Sequence, residues 1–592
     1  MVVLNLLFAP VIWGERTLLA SVEDASSIVS DGVVSHRPAG SSGASARLRL
    51  PRSNDLGAPA WFSEPSYALI HNQIFNDRVA PLWNPYNGYG APLLANMQSQ
   101  PFNPLVWMTF ICPAAHVIDL YLILRLFVAG FLMYAYLRLL IAPAPALFGS
   151  LAYMLSGYFI IYLNMPELTV SAWLPLLLIG TELIVRRVTT LAVALTALGS
   201  ALVLYGGMPE VCFLELLFVA VYAKVRAFTT QKGYINYLKV ISAFTCATIS
   251  GALLAAPQIL PFIEYIKESF NAHEARHRLG LPGLFHHTNL AAHFLTYIAP
   301  LAYGPLNARW LRPDVTFSGF HGYWGGVSMA LGSIAAASAM VRIPFAWRRT
   351  FDRKRAIDSD EEFRPACLPV SLLLFYFLMV LFFIAKRFGH PAVNWLGGMP
   401  LFQLVLFWKY GEPLMAFSVA ALAAFGLQEL LSAAVSRRLL VGSGVVALSL
   451  GGALMIHNLP MIVAWKHAQH QYLEIVGAAL ALGAVVFVIA FAILAKPSVA
   501  VKHSCAAVLV LLVTAELSFN FLVPEFYKIA PLPARTITPY GGAPFIEFLR
   551  ARNQDRSRLL GFDGVLFPNW SSVFSLFDVR NLDALYPDRY FS

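Results

Sequence analysis

Apolar residues arrive along this chain in about a dozen runs of membrane-spanning length, separated by short polar stretches. The first runs fall at 117–137, 147–163, 168–185, 191–205, 211–223 and 237–262. Others follow at 323–341, 368–385, 414–431, 439–456, 475–495 and 505–523. About 20 mostly apolar residues cross the roughly 30 Å hydrocarbon layer of a bilayer, so each run is a predicted span or close to one. Backbone N–H and C=O groups find no partner in lipid, which predicts helices rather than open sheet. Counting an amino-terminal anchor, the expectation is an all-α polytopic membrane protein with about 12–13 spans over residues 1–523.

The polar boundaries are not equivalent. Arg138, then Arg186 and Arg187, then Lys224, Arg226 and Lys232 lie on one side of the predicted bundle. Arg342, Arg348, Arg349, Arg353, Lys354 and Arg355 fall on that side too, as do Arg437, Arg438, Lys496 and Lys502. Basic residues in short loops mark the cytoplasmic face. The opposite loops, a large first one at 14–102 and later ones at 164–167, 206–210, 264–321, 386–412 and 457–472, are then extracytoplasmic. So is the tail, 524–592. Lys386, Arg387 and Lys409 dissent, in a loop long enough for the rule to weaken. The predicted location is a cell (plasma or inner) membrane, crossed many times.

Both ends read as pieces of longer segments. The run 2–13 spans only about 18 Å at 1.5 Å per residue and lacks the basic start of a signal peptide, so an upstream beginning is expected. The tail turns polar and reads as the start of a globular segment.

Composition agrees with this reading. A chain of 592 residues that is 58% hydrophobic and 12% charged has too little polar surface for a soluble protein of its size. Its net charge of +10 sits in the cytoplasmic loops, where anionic headgroups attract it, so nucleic acid is not an expected partner. The five cysteines have no paired spacing and indicate neither disulfides nor a thiolate metal site.

Candidate chemistry concentrates in the first loop. Its first half, 21–52, is rich in Ser, Gly and Ala and is expected to be a flexible insertion. Asp55 and Glu64 then flank Trp61 and Phe62, and 67–75 is expected to form a short helix lying along the membrane surface. The motif PLWNPYNGYGAPLLANMQSQPFNP, residues 81–104, sets Trp83, Asn84, Tyr86, Asn87, Tyr89, Asn96, Gln98 and Asn103 among prolines and glycines that forbid a regular helix. Amide side chains beside aromatic faces suit a carbohydrate or headgroup site. They equally suit turns in a loop that plugs the bundle.

That motif resembles the signature loop of the YfhO-type bacterial membrane proteins. LSGYFIIYLN at 155–164, AWLPLLLIGTELI at 172–184, GGMPE at 206–210, LLAAPQILPFIEY at 253–265, HGYWGG at 321–326 and DVRNLDALYPDRY at 578–590 resemble the same family in the same order. The family is similar to the C-type (GT-C) glycosyltransferases, polytopic enzymes that move sugars from polyprenyl-phosphate carriers to acceptors outside the cytoplasm. The resemblance implies a GT-C-like bundle, a polyprenyl-phosphate-linked sugar as donor and an envelope glycan or lipid as acceptor. It also implies a carboxylate in the first loop that takes the acceptor's proton or helps hold a divalent cation. Asp55 best matches that position and Glu64 is second; Asp55 also reads as a cap of a turn or of the helix after it.

The sequence offers further candidates. Glu167 and Glu210 read as acids favoured at helix N-termini. Glu215 and Glu516, inside apolar runs, are functional candidates because an ionisable group there is costly. Lys409, in FWKYGEP, is expected either to hold a phosphate or to act as an interfacial anchor. His273, His277, His286, His287 and His293 show no ligand spacing that predicts zinc.

Two functions therefore stand. One is a glycosyltransferase in which Asp55 or Glu64 acts as base, Trp83, Asn84, Tyr86, Asn96 and Gln98 shape the sugar site, and Lys409 holds phosphate. The alternative is a transporter or non-catalytic scaffold for envelope lipids or polysaccharides, with the loop as its plug.

Overall fold

The computed structural model describes residues 1–22, 59–271, 290–302, 322–351, 368–463, 469–495 and 498–526, together with most of 532–588. A loop helix, α1 (Glu64–His71), and a hairpin of β1 (Trp83–Asn84) with β2 (Ala91–Pro92) precede the bundle. The helices that follow are α2 (Ala115–Arg138), α3 (Pro143–Met154), α4 (Glu167–Arg186), α5 (Thr190–Leu204), α6 (Pro209–Thr230) and α7 (Tyr234–Leu254). After them come α8 (Ala256–Lys267), α9 (Gly325–Phe351), α10 (Val370–Arg387), α11 (Glu412–Leu431), α12 (Arg437–Val463), α13 (Gln469–Ala495) and α14 (Val499–Phe526). Among the described residues, ten helices are long and apolar enough to cross a membrane. α5, a shorter apolar helix, and α6 fall on the two remaining runs of the sequence. The fold is thus the all-helical polytopic bundle expected.

The ends of the bundle differ as the charge pattern predicts. At one end Arg186 and Arg226 converge on Glu182 at 3.1 and 2.8 Å, and Arg342 meets Glu429 at 3.0 Å. Lys502 donates to the Leu431 carbonyl there at 2.6 Å. The first loop, β3 (Ser269–Asn271) and β4 (Leu585–Pro587) lie at the other end; β3 pairs antiparallel with β4, Phe270 facing Tyr586.

Two boundaries depart from the hydrophobic pattern for backbone reasons. The run 237–262 is not one span. It breaks at Ala255, before Pro257, and α8 carries a second proline at 261. A proline removes one amide from the helical ladder and crowds the preceding turn. α8 instead runs along the loop end, where Gln258 Nε2 donates to the Met97 carbonyl at 3.3 Å. The stretch 67–75 is also divided, with Ile74 and Phe75 exposed beyond the end of α1. α1 is buried, with the Tyr67 ring edge-on to Tyr121 at 6.2 Å between centroids.

α11 forms the axis, buried along almost its whole length. It approaches α9 so closely at Gly426 that a Cβ there would overlap the Leu331 carbonyl. Close backbone approach through small residues is how helices gain packing energy where lipid supplies no hydrophobic drive.

Candidate active site at the loop end

Proline and glycine shape the loop, and its amides tie it down. Asn84 Oδ1 accepts from the Tyr86 amide at 3.0 Å, closing a turn. Gly90 sits at φ +102, and a Cβ there would lie 2.5 Å from the Trp83 indole nitrogen. Asn96 caps a single helical turn, its Oδ1 accepting from the Gln98 amide at 3.0 Å. Its Nδ2 donates to Asp583 Oδ2 in the tail at 2.6 Å. Asn87 likewise reaches the tail, at Asn569. Gln100 runs into the bundle and donates to the carbonyls of Pro166 and Gly206 at 3.2 and 2.7 Å.

Beneath this loop a cavity of about 330 Å³ opens between α6, α8, the segment before α11 and β4. Phe213, Phe262, Ile263, Leu404, Val405 and Leu585 make its walls apolar. Asn96, Gln98 and Glu210 are the polar groups in its lining. Glu210 enters because Pro209 starts α6 and places the acid in the first turn, where the helix dipole favours it. Its Oε2 is enclosed and has no hydrogen-bond partner among the described residues.

Beside Glu210 lies an ion pair. Lys409 Nζ is 3.5 Å from Glu167 Oε1, and stands 5.6 and 5.4 Å from the ring centres of Tyr162 and Tyr410. Lys409 and Glu167 both exert their charges on Glu210. Buried Arg125 braces the turn ahead of Glu167: it donates to the carbonyls of Leu163 and Met165 and to Thr169 Oγ1 and lies over the Tyr121 ring. The other dissenting cations have partners too: Arg387 pairs with Glu412, and Lys386 donates to Asn394 Oδ1 at 3.1 Å. They sit at the loop end because each has a protein partner.

The structure sorts the sequence candidates. Asp55, His273, His277, His286 and His287 lie outside the described residues. Glu64 is buried, with Oε1 accepting from the Ala20 amide at 2.9 Å and Oε2 from the Ser21 amide at 3.1 Å. Burial pushes its carboxyl up to about 7 despite those bonds. Asn96 and Gln98 line the cavity, and Lys409 stands behind it. Trp83, Asn84 and Tyr86 do not line it. Trp83 is half-exposed over Gly90, and Tyr86 packs on Phe577 in the tail at 5.1 Å. The plug-like use of amides thus describes Asn84, Asn87 and Asn96. Glu516 caps the start of α9 through the amides of Gly326 and Val327.

Arg125 is the residue that sequence reading missed. Its signal was available, since an arginine in mid-span needs a buried partner. Among the described residues, no group of three His, Cys, Asp or Glu side chains converges as metal ligands would.

No family model and no curated protein matches this chain. Among solved structures it aligns with the crystal structure of ArnT from Cupriavidus metallidurans bound to undecaprenyl phosphate. The alignment covers 87% of this chain and 80% of that one at 13% identity, with a TM-score of 0.40.

Proposed function

We propose that this chain is a membrane glycosyltransferase that takes a sugar from a polyprenyl-phosphate carrier and passes it to an envelope polymer or lipid on the outer face. The observation that carries the reading is the cavity itself. One space joins walls suited to an isoprenoid tail, amides suited to sugar hydroxyls, and a carboxylate enclosed beside a lysine.

In this reading Lys409 draws the carrier phosphate, as cations do in phosphate sites. Gln98 bonds the sugar, and a carboxylate takes the acceptor's proton as the lipid phosphate leaves. Glu210 is assigned that role, because Glu64 spends both oxygens on backbone amides. Asp55 remains the rival base. The sequence resemblance to a family similar to GT-C enzymes supports the same chemistry.

The test compares envelope glycans of cells carrying the native chain with those of Glu210→Gln, Lys409→Met and Asp55→Asn cells at equal membrane abundance. Loss of one glycan modification with Glu210→Gln or Asp55→Asn is expected. Unaltered glycans in all three would sink the enzyme reading.

The scaffold reading has one observation in its favour, the consumption of Asn84 and Asn87 in turn and tail contacts. A scaffold would change glycans on deletion of the chain yet tolerate each of the three substitutions.

A further inference from the structure

Three residues line the loop-end cavity and are also open to the outside. Ile263 of α8 is 42% exposed, Leu401 61% and Leu404 40%, and all three stand in the cavity wall. Residues that meet both the cavity and the surface mark the rim of an opening. Ile263 forms one side of this mouth; Leu401 and Leu404, from the segment between α10 and α11, form the other. Met97 and Val405 line the same cavity and are buried, so they lie deeper.

The course of α7 and α8 decides which medium the mouth faces. α7 is long and apolar enough to span, and its buried residues Val240, Phe244, Ala247 and Gly251 form one stripe at helical spacing. Its opposite face therefore meets lipid. Leu253 and Leu254 are exposed at its end, and beyond the break at Ala255 the exposed apolar surface continues on α8 through Leu260 to Ile263. Exposed Glu264, Lys267 and Glu268 follow. That order sets the headgroup level at the end of α8 and the mouth on the hydrocarbon side of it.

The other rim has the same character. Trp395, Met399, Leu401 and Leu404 are exposed, and Trp395 satisfies its indole N–H on the Ala392 carbonyl at 2.9 Å. Phe402 fastens the segment to the bundle, its ring edge-on to Phe213 at 5.1 Å and stacked with Phe407 at 6.0 Å. Leu401, one residue earlier, is held at φ +70, a backbone state that disfavours a bulky side chain. Such an outlier persists where the surrounding structure enforces it, and here it sets a leucine at the rim.

We propose that the gap between α8 and residues 395–404 is a lateral portal, through which an acyl chain of a bilayer phospholipid enters the cavity. An apolar rim continuous with the lipid-facing surface of α7 is covered by hydrocarbon at no hydrophobic cost. At about 330 Å³ the cavity is at the low end of the roughly 300–1,000 Å³ usual for ligand sites, which suits the end of one chain. Ile263, Leu401 and Leu404 offer apolar surface alone, which does not select one chain from another, so the occupant is the lipid present in excess. The portal does not rest on sugar transfer. In the transferase reading a carrier displaces the phospholipid chain; in the scaffold reading the chain stays.

Photocrosslinking tests this on the full chain in nanodiscs containing phosphatidylethanolamine with a diazirine at the tip of one acyl chain. Label is expected on Met97 and Val405 inside the cavity, and on Leu450, an exposed residue of α12 that reports ordinary lipid contact. Ile263→Trp and Leu404→Trp, which fill the rim, should abolish the cavity label and spare that on Leu450. Label on Leu450 without label on Met97 or Val405 in the native chain overturns the portal, and so does cavity label that neither tryptophan variant reduces. A second measurement compares Leu404→Cys with Tyr89→Cys in a background without exposed Cys112 and Cys246. A thiol held in hydrocarbon stays protonated, so Leu404→Cys should react with a charged, impermeant thiol reagent about tenfold more slowly or less. Equal rates would mean that the mouth opens to water. Should the tryptophan variants misfold, the native labelling and the cysteine rates still decide. Glycans that ignore Glu210→Gln in a chain that labels as expected would leave the portal standing while the transferase reading fell.

Discussion

Asn87 Nδ2 donates a hydrogen bond to Asn569 Oδ1 at 2.8 Å, joining the loop before the first span of the bundle to the tail after the last. Both segments therefore lie on one side of the membrane, and the number of crossings between them is even. The twelve helices α2–α7 and α9–α14, with α8 lying along the loop end, match that parity.

The proposed sidedness rests on this parity together with the basic end. A cysteine at Tyr89, an exposed loop-tip residue, should react with an impermeant thiol reagent on intact cells. One at Arg187, exposed at the basic end, should react only after the membrane is opened. The background must lack exposed Cys112 and Cys246. The reverse pattern would invert the assigned topology and remove the donor's access to the cavity.

Gly90→Ala should be more damaging than a surface substitution. The positive φ and the indole of Trp83 both oppose a methyl group, and overpacking of this kind costs about 1–3 kcal/mol. A lower unfolding temperature and faster proteolysis within the loop are expected. Wild-type behaviour in both would mean that the hairpin does not hold Trp83 over Gly90.

Lys409→Met leaves Glu167 buried without its cation, and breaking such a pair from one side costs about 3–5 kcal/mol. Adding Glu167→Gln should restore most of the stability without restoring binding of an anionic lipid. Equal losses in the single and double variants, read by thermal unfolding, would show that the pair is not coupled.

Glu64 gives the protein a pH dependence of definite sign. Burial raises its folded-state carboxyl to about 7 from an ordinary 4.5, so the folded state holds the proton more tightly than the unfolded one. Its contribution to stability is complete below the unfolded value and is lost as pH rises through about 7. Between about pH 5 and pH 8 the unfolding temperature of the native chain should fall more steeply than that of Glu64→Gln. Parallel curves would mean that Glu64 titrates alike in both states.

Arg186, Arg226 and Arg342 at one end of the bundle, and the amide-rich loop at the other, could be assigned from order along the chain alone. Span length, helical state and end-to-end polarity are local consequences of hydropathy and charge against a bilayer. Pro257 was visible too, although its break at Ala255 depended on what α8 packs against. Glu64 and Glu210 show the limit. Each is an acid near a helix start in the sequence, and only packing turns one toward two backbone amides and the other toward a cavity.

What the sequence by itself determined is the set of helices and which of their ends are basic, because those follow from the transfer of each segment into lipid. What only the tertiary structure decided is which polar side chains meet: Lys409 with Glu167, and Asn96 with Asp583. These partners come from segments far apart in the chain, and their energies exist only once the helices are packed.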